Sequence, residues 1–307
     1  VPSASTIARV MGMINPVRLQ HCFIEWMKEC CELTDGEVVA IDGKTVRGSY
    51  DKSKGLGTIH MVNAFATANG VSLGQQKVDL KSNEITAIPN LLDLLDISGC
   101  LITIDAMGCQ KKIAQKILDV KADYLLAVKG NQGRLEQAFD SYFDMSMLQN
   151  YDGDSYSTQE KSRDRQETRL ALVNGDLSVL GDLKEEWPGL KTMGIIVSLR
   201  QQREAVEESE VSVRYYISSK DLDAKTLLNS TRSHWLVESM HWILDTQFGE
   251  DESRKRVDDR AENFARIRQM CLNFLRSESS FKGSIKHKRA KCAMEEKYLS
   301  TVLSSLN

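Results

Sequence analysis

Residues 38 to 50 read VVAIDGKTVRGSY. Four small or apolar residues, Val38 to Ile41, run straight into Asp42, a glycine and two cations, Lys44 and Arg47. A short apolar run closed by Asp-Gly reads as a buried strand that stops where turn residues begin. On that reading the first strand covers 37–42 and Asp42 ends it. The plain role of such an aspartate is to open a turn. A chemical role requires other acids able to meet it.

Upstream, Ile7, Val10, Met11, Ile14, Leu19, Phe23, Trp26 and Met27 recur at helical spacing, which predicts helix over 5–32 with Ser3 or Ser5 as a cap. The chain opens at Val1 with that pattern already under way, so further residues are expected before it. Downstream, TIHMVNAFAT and GVSLGQQKVDL predict second and third strands joined by the turn ANG. NEITAIPNLLDLLDISG predicts a helix with Asn83 at its cap position. CLITIDAMGC is a second apolar strand ending in an aspartate, Asp105, and is followed by a helix over 110–119 and the strand DYLLAVKGNQ. Three closely spaced strands suit an antiparallel meander, and the later two need helical crossovers. This order matches a ribonuclease-H-like α/β fold, a mixed sheet with helices on both faces.

From 150 to 217 the character changes. RQETRLALVN, TMGIIVSLRQQ and VSVRYYISS predict strands and EEWPGL a turn, so this segment is expected to be a β-rich insertion. The expected organisation is a partial helical region at 1–33, the first part of the core at 34–149, the insertion at 150–217, and helices at 218–307. A chain of 307 residues accommodates either one domain with insertions or two. No apolar run nears the roughly 20 residues that cross a bilayer. Seven cysteines, odd in number and without a C-x-x-C pair, predict free buried thiols in a reducing cytosol. The net charge of −3 gives no general pull toward nucleic acid, so any such partner must be met by local charge.

In a ribonuclease-H-like order the first and fourth strands are neighbours, about 4.8 Å apart. Asp42 and Asp105 at their ends would then suit a shared divalent cation. SHWLVESMHWILDTQF supplies a third acid, because His234, Glu238, His241 and Asp245 fall on one helical stripe. Leu236, Val237, Met240, Ile243 and Leu244 take the other side and are expected to meet the sheet, with Trp235 and Trp242 as a ridge between. Three carboxylates can hold two hard cations ~3.5–4 Å apart, the arrangement used for displacement at phosphorus. Lys44, Arg47 and Lys129 near the same strand ends are candidate phosphate contacts.

The stretches AIDGKTVRGS, TIDAMGCQ, DYLLAVKGNQ, EWPGLK, YYISS and HWLVESMHWILDTQFGED together resemble the H-repeat-associated transposases of bacterial insertion sequences, the ISAs group of the DDE superfamily. The similarity runs over essentially the whole chain. It implies Asp42, Asp105 and Glu238 as the acidic triad, two Mg²⁺ or Mn²⁺ ions, and strand cleavage and transfer at element ends. It also implies duplex DNA as partner, a homodimer in the active complex, no membrane, and a bacterial cytoplasmic protein associated with the nucleoid when bound to DNA. Two departures stand out: Arg163, Asp164 and Arg165 replace a His-Gly-Arg step, and Ser239 replaces an asparagine after the third acid. Candidate DNA contacts also include Arg163, Arg165 and Arg169 on one face of RDRQETRL, and His234, Trp235 and His241 on the stripe helix. The basic run KGSIKHKRAK at 282–291 is the competing surface, with solvated charge as its plain reading.

Other readings fit less well. DGKT lacks the first glycine of a phosphate loop, where Val38 stands. An actin-like or sugar-kinase ATPase needs a second glycine-rich loop, which TIDAMGCQ does not supply. His234, Glu238 and His241 have neither zincin spacing. A transposase that binds DNA without cutting it remains the alternative.

Overall fold

Pro16 breaks the N-terminal helical run into α1 (Ala4–Met13) and α2 (Pro16–Cys30). A proline drives the residue before it out of helical backbone, and Asn15, at φ −65° and ψ 119°, then caps α2 by accepting from Arg18 N at 3.0 Å. Ser3 caps α1 by accepting from Thr6 N at 3.2 Å. The computed structural model describes residues 2–50, 57–78, 83–143, 147, 150–162, 165–202 and 209–306, with backbone alone at 162, 165, 202 and 209. After α2 the chain forms β1 (Val38–Val46), β2 (Ile59–Ala66), β3 (Val71–Lys77) and α3 (Glu84–Leu94). Next come β4 (Leu101–Ile104), α4 (Lys111–Asp119), β5 (Asp123–Val128) and α5 (Gly133–Tyr142). The β-rich stretch holds β6 (Asp154–Ser162), β7 (Arg165–Asn174), β8 (Thr192–Gln202) and β9 (Ser209–Ser218). Four helices close the chain, α6 (Ala224–Phe248), α7 (Arg260–Ser277), α8 (Ile285–Met294) and α9 (Glu296–Leu303). This is the α/β class and the ribonuclease-H-like element order expected.

The chain divides into two compact units, one of Val1–Ser98 with Trp235–Asn307 and one of Gly99–His234. In the first, β1, β2 and β3 form the expected antiparallel meander. The β2–β3 turn closes on Gly70 at φ +69°, a left-handed conformation glycine adopts without a steric penalty. Val39, Ala40 and Ile41 are fully buried. Ala40 and Phe65 pack against Val237, Met240 and Leu244 of α6 and Leu272 of α7.

In the second unit β4 and β5 are parallel, and β9 joins β5 antiparallel. β8, β7 and β6 then extend the sheet in antiparallel order. The β-rich stretch therefore continues the β4–β5 sheet. Its first strand, β6, was not expected, since DSYSTQEKS has no apolar alternation to mark it. It forms because β7 offers an unbroken row of partners, from Asp154 against Val173 onward.

Of the five cations in the basic run at 282–291, Lys288 is buried, while Lys282, Lys286 and Arg289 are exposed. Lys288 is 7% exposed and donates to the carbonyls of Leu275 and Glu278. Arg289 lies 4.4 Å from the Phe248 ring centre, and Lys291 lies 4.6 and 4.5 Å from those of Phe281 and Tyr298. Glu278 anchors this corner, accepting from Ser280 N, Phe281 N and Tyr298 Oη at 2.6, 3.1 and 2.6 Å. Burial pushes its carboxyl up, but the Ser280 and Tyr298 hydrogen bonds outweigh that and bring it down to about 2. A depressed carboxylate adds stability above its unfolded value of about 4.3, and loses it as pH falls through the folded value. Urea midpoints of wild type and Glu278→Gln are therefore expected to differ by a constant amount above about pH 5 and to converge toward pH 2.

All seven cysteines are free, as expected; Cys100 and Cys109 are buried, whereas Cys22 and Cys271 are exposed. Among the described residues no helix is long and apolar enough to cross a membrane.

Candidate active site

Asp42 sits inside β1, not at its end. The strand runs on to Val46 because its partners continue, Asp42 against Asn63 and Lys44 against Met61. No turn starts at Asp-Gly, so the glycine answers to space. A Cβ on Gly43 would overlap the Glu84 carboxylate, and one on Gly48 would strike the backbone carbonyls of Ser253 and Asp251.

Residues two apart on a strand share a face, and Asp42 and Lys44 both meet α6. Two strand residues advance ~6.7 Å, close to the ~6.0 Å that separates residues four apart on a helix. Two polar rungs form at that matched spacing. His241 Nδ1 stands 3.4 Å from Asp42 Oδ2, and Lys44 Nζ stands 2.5 Å from Asp245 Oδ1. The other Asp42 oxygen, Oδ1, accepts from Gly43 N at 2.9 Å.

This corrects the expected division of α6 into a polar and an apolar side. His241 is buried beside Val237, Met240 and Leu244, whereas Leu236 is 43% exposed. Trp235 and Trp242 are exposed, as is Glu238. His241 is therefore no surface contact for DNA.

Lys44 is corrected as well. It is 8% exposed and meets Glu250 at 3.1 Å and Asp251 at 3.8 Å besides Asp245. Burial pulls its ammonium down, but Glu250 and Asp245 more than offset this and hold it above the ordinary lysine value. With three carboxylates around it, Lys44 is a counter-ion of the fold and not a phosphate clamp. Glu250 also meets Arg268 at 3.5 Å. Arg47 stays exposed, 3.7 Å from Asp251.

In the second unit Asp105 directly follows β4, is exposed, and accepts on Oδ1 from Met107 N at 3.1 Å and Gly108 N at 3.3 Å. Two residues earlier, Thr103 Oγ1 lies 2.9 Å from His234 Nδ1, so this histidine is tied to β4. Lys129 directly follows β5 and is exposed. Arg169, expected on a phosphate-contacting face, has a side chain 17% exposed and is held by Glu160 at 3.0 Å and Glu167 at 2.6 Å. Arg200 meets Glu167 at 3.2 Å. The β6–β7 register sets Glu160 against Glu167, and the arginines on and beside that pair neutralise both. Arg163 and the side chain of Arg165 lie outside the described residues.

Among the described residues no three His, Cys, Asp or Glu side chains are gathered closely enough to hold a metal ion. Asn63, Gln75, Gln269 and Glu250 escaped the sequence reading. Asn63 carried a visible signal, a lone amide inside the apolar run MVNAFA.

A family model described as a transposase DDE domain matches residues 33–274. "Putative transposase YncI" of Escherichia coli O157:H7 is 54% identical over 306 residues, 99% of this chain and 78% of that protein. "H repeat-associated putative transposase YhhI" of Escherichia coli K12 is 47% identical over 306 residues, 99% of this chain and 81% of that protein. A solved piggyBac transposase synaptic complex with hairpin DNA superposes with a TM-score of 0.43 at 12% identity, covering 89% of this chain and 52% of that one, a likeness too slight to decide anything. With the domain match and two relatives of near-full coverage agreeing, the chain belongs to the DDE-domain transposases, in their H repeat-associated group.

Proposed function

We propose that the chain cuts and joins DNA strands at the ends of its element, with Asp42, Asp105 and Glu238 as the acids of the reaction and as holders of two divalent ions, Mg²⁺ or Mn²⁺. One observation carries this reading furthest. His241, three residues beyond Glu238, meets Asp42, so the helix bearing one proposed acid is docked on the strand bearing another. The domain match supports it, since residues 33–274 include all three acids. The donor set is oxygen throughout, which suits hard cations and not zinc. Ions bound there would activate an attacking oxygen and stabilise a leaving one at phosphorus.

The residues of the chain supply the rest. Gly43 N–H donates to one oxygen of the Asp42 carboxylate and His241 lies 3.4 Å from the other, and the Asp105 carboxylate is oriented by two backbone N–H groups. Lys129 and Arg47 remain as exposed cations to meet phosphate. Lys129→Ala is expected to weaken duplex binding and to lower the slope of log K against log salt by roughly 0.9, one lost phosphate contact. Arg169→Ala should leave that slope unchanged, because its guanidinium is already committed to Glu160 and Glu167. Titrations of duplex at several salt concentrations read both.

The deciding experiment incubates the protein with a duplex carrying an element end, with and without Mg²⁺ or Mn²⁺. Metal-dependent nicking supports the proposal. Tight binding with no cleavage under either metal would favour a protein that only occupies DNA.

A further inference from the structure

His241 is 9% exposed, and its two ring nitrogens face different groups. Nδ1 stands 3.4 Å from Asp42 Oδ2, and Nε2 stands 2.9 Å from Asn63 Nδ2. Asn63 decides which nitrogen carries the ring proton. Its Oδ1 accepts from Gln75 Nε2 at 2.8 Å and from Gln269 Nε2 at 2.5 Å. Its amide nitrogen lies 3.4 Å from the backbone carbonyls of both Asp42 and Met61. Reversing that amide would set an oxygen against the Asp42 and Met61 backbone carbonyls, which cannot turn to suit it, and an NH₂ group against the NH₂ groups of Gln75 and Gln269. Gln269 is held in turn by Ser72 Oγ, which donates to its Oε1 at 2.7 Å. Asn63 therefore presents a donor to the imidazole, and Nε2 must meet it with a lone pair. In a neutral ring the proton then sits on Nδ1.

We infer that His241 is a positioning residue for Asp42, locked by the Asn63–Gln75–Gln269 cluster as the tautomer whose Nδ1–H points at the Asp42 carboxylate. The role rests on the reading of Asp42 as an acid of the reaction. With Gly43 N–H on one oxygen and His241 on the other, the plane of the carboxylate is set and its remaining lone pairs are left for an incoming cation. At 3.4 Å the approach lies beyond the ordinary ~2.7–3.2 Å hydrogen-bond range, as catalytic contacts in unliganded enzymes often do before they tighten in the complex. Outer partners that orient a ligand typically contribute ~10–100-fold to metal affinity or activity.

Nitrogen-15 NMR of histidine-labelled, metal-free protein reads the tautomer without any turnover. The His241 signal, assigned through its contact with the Asn63 NH₂, should show a protonated Nδ1 and a bare Nε2. A protonated Nε2 overturns the inference whatever the variants do. For cleavage at saturating DNA, His241→Phe is expected to slow the reaction about 10–100-fold with the DNA Kd unchanged. His241→Asn, whose side-chain nitrogen takes roughly the place of Nδ1, should recover most of that rate. If His241→Phe cleaves like wild type while Asp42→Asn is inactive, the positioning role falls and the reading of Asp42 stands. An active Asp42→Asn overturns both.

Discussion

Asp105→Asn is expected to lose Mg²⁺-dependent strand cleavage by about 10³-fold or more, the upper range for removing one preorganised electrostatic group. DNA binding without metal should persist or tighten, because a negative charge near phosphates disappears. The substitution is a clean one. The backbone donors of Met107 and Gly108 both reach Oδ1, which asparagine keeps, so the turn over Ala106–Gly108 retains its cap. Asp105 is exposed, and among the described residues no buried side chain loses a hydrogen-bond partner by the exchange. Cleavage at the wild-type rate with unchanged metal dependence would remove Asp105 from the chemistry and with it the three-acid proposal.

Lys44→Met should be the most destabilising of the substitutions considered, by about 3–5 kcal/mol, the usual cost of stripping one partner from a buried ion pair. Among the described residues it would leave Glu250, 1% exposed, with the 3.5 Å contact to Arg268 as its remaining ion pair, and would set Asp245 and Asp251 beside it without their shared cation. The pH dependence has a definite sign. A lysine held above its unfolded value contributes its full stability below about pH 10.4 and loses it as pH climbs through the folded value. Urea unfolding should therefore show the wild-type advantage undiminished through neutral pH and shrinking only in strong alkali. Were Lys44 a phosphate clamp instead, the variant would unfold near the wild-type midpoint and bind DNA with a salt slope lower by roughly 0.9.

Local pattern carried much of the architecture. The meander of β1 to β3, the pair β4 and β5 with α4 between them, and the strands β7 to β9 all announce themselves by apolar runs and turn residues. Two further local signals mark tertiary features. Asn15-Pro16 marks the break between α1 and α2, and Asn63 inside an apolar strand marks a buried amide cluster. β6 had no such signal, because a polar strand is recognisable only by the partner that pairs with it.

What the sequence determined by itself was therefore the order and type of most elements, the acids Asp42, Asp105 and Glu238 as candidates, and the family to which the chain belongs. The elements follow from periodicity, and the family and its three acids from the resemblance that the quoted motifs carry; both rest on stretches of neighbouring residues. Only the tertiary structure decided what each charge faces. Lys44 meets Asp245 across 201 positions of sequence, and Asn63 meets His241 across 178. A lysine or arginine reads alike whether it will meet a phosphate or a carboxylate, because attraction depends on distance and dielectric, which the fold alone sets. For that reason Lys44 and Arg169 became internal counter-ions and His241 a buried partner of Asp42, while Asp42 itself lies within its strand and not at its end.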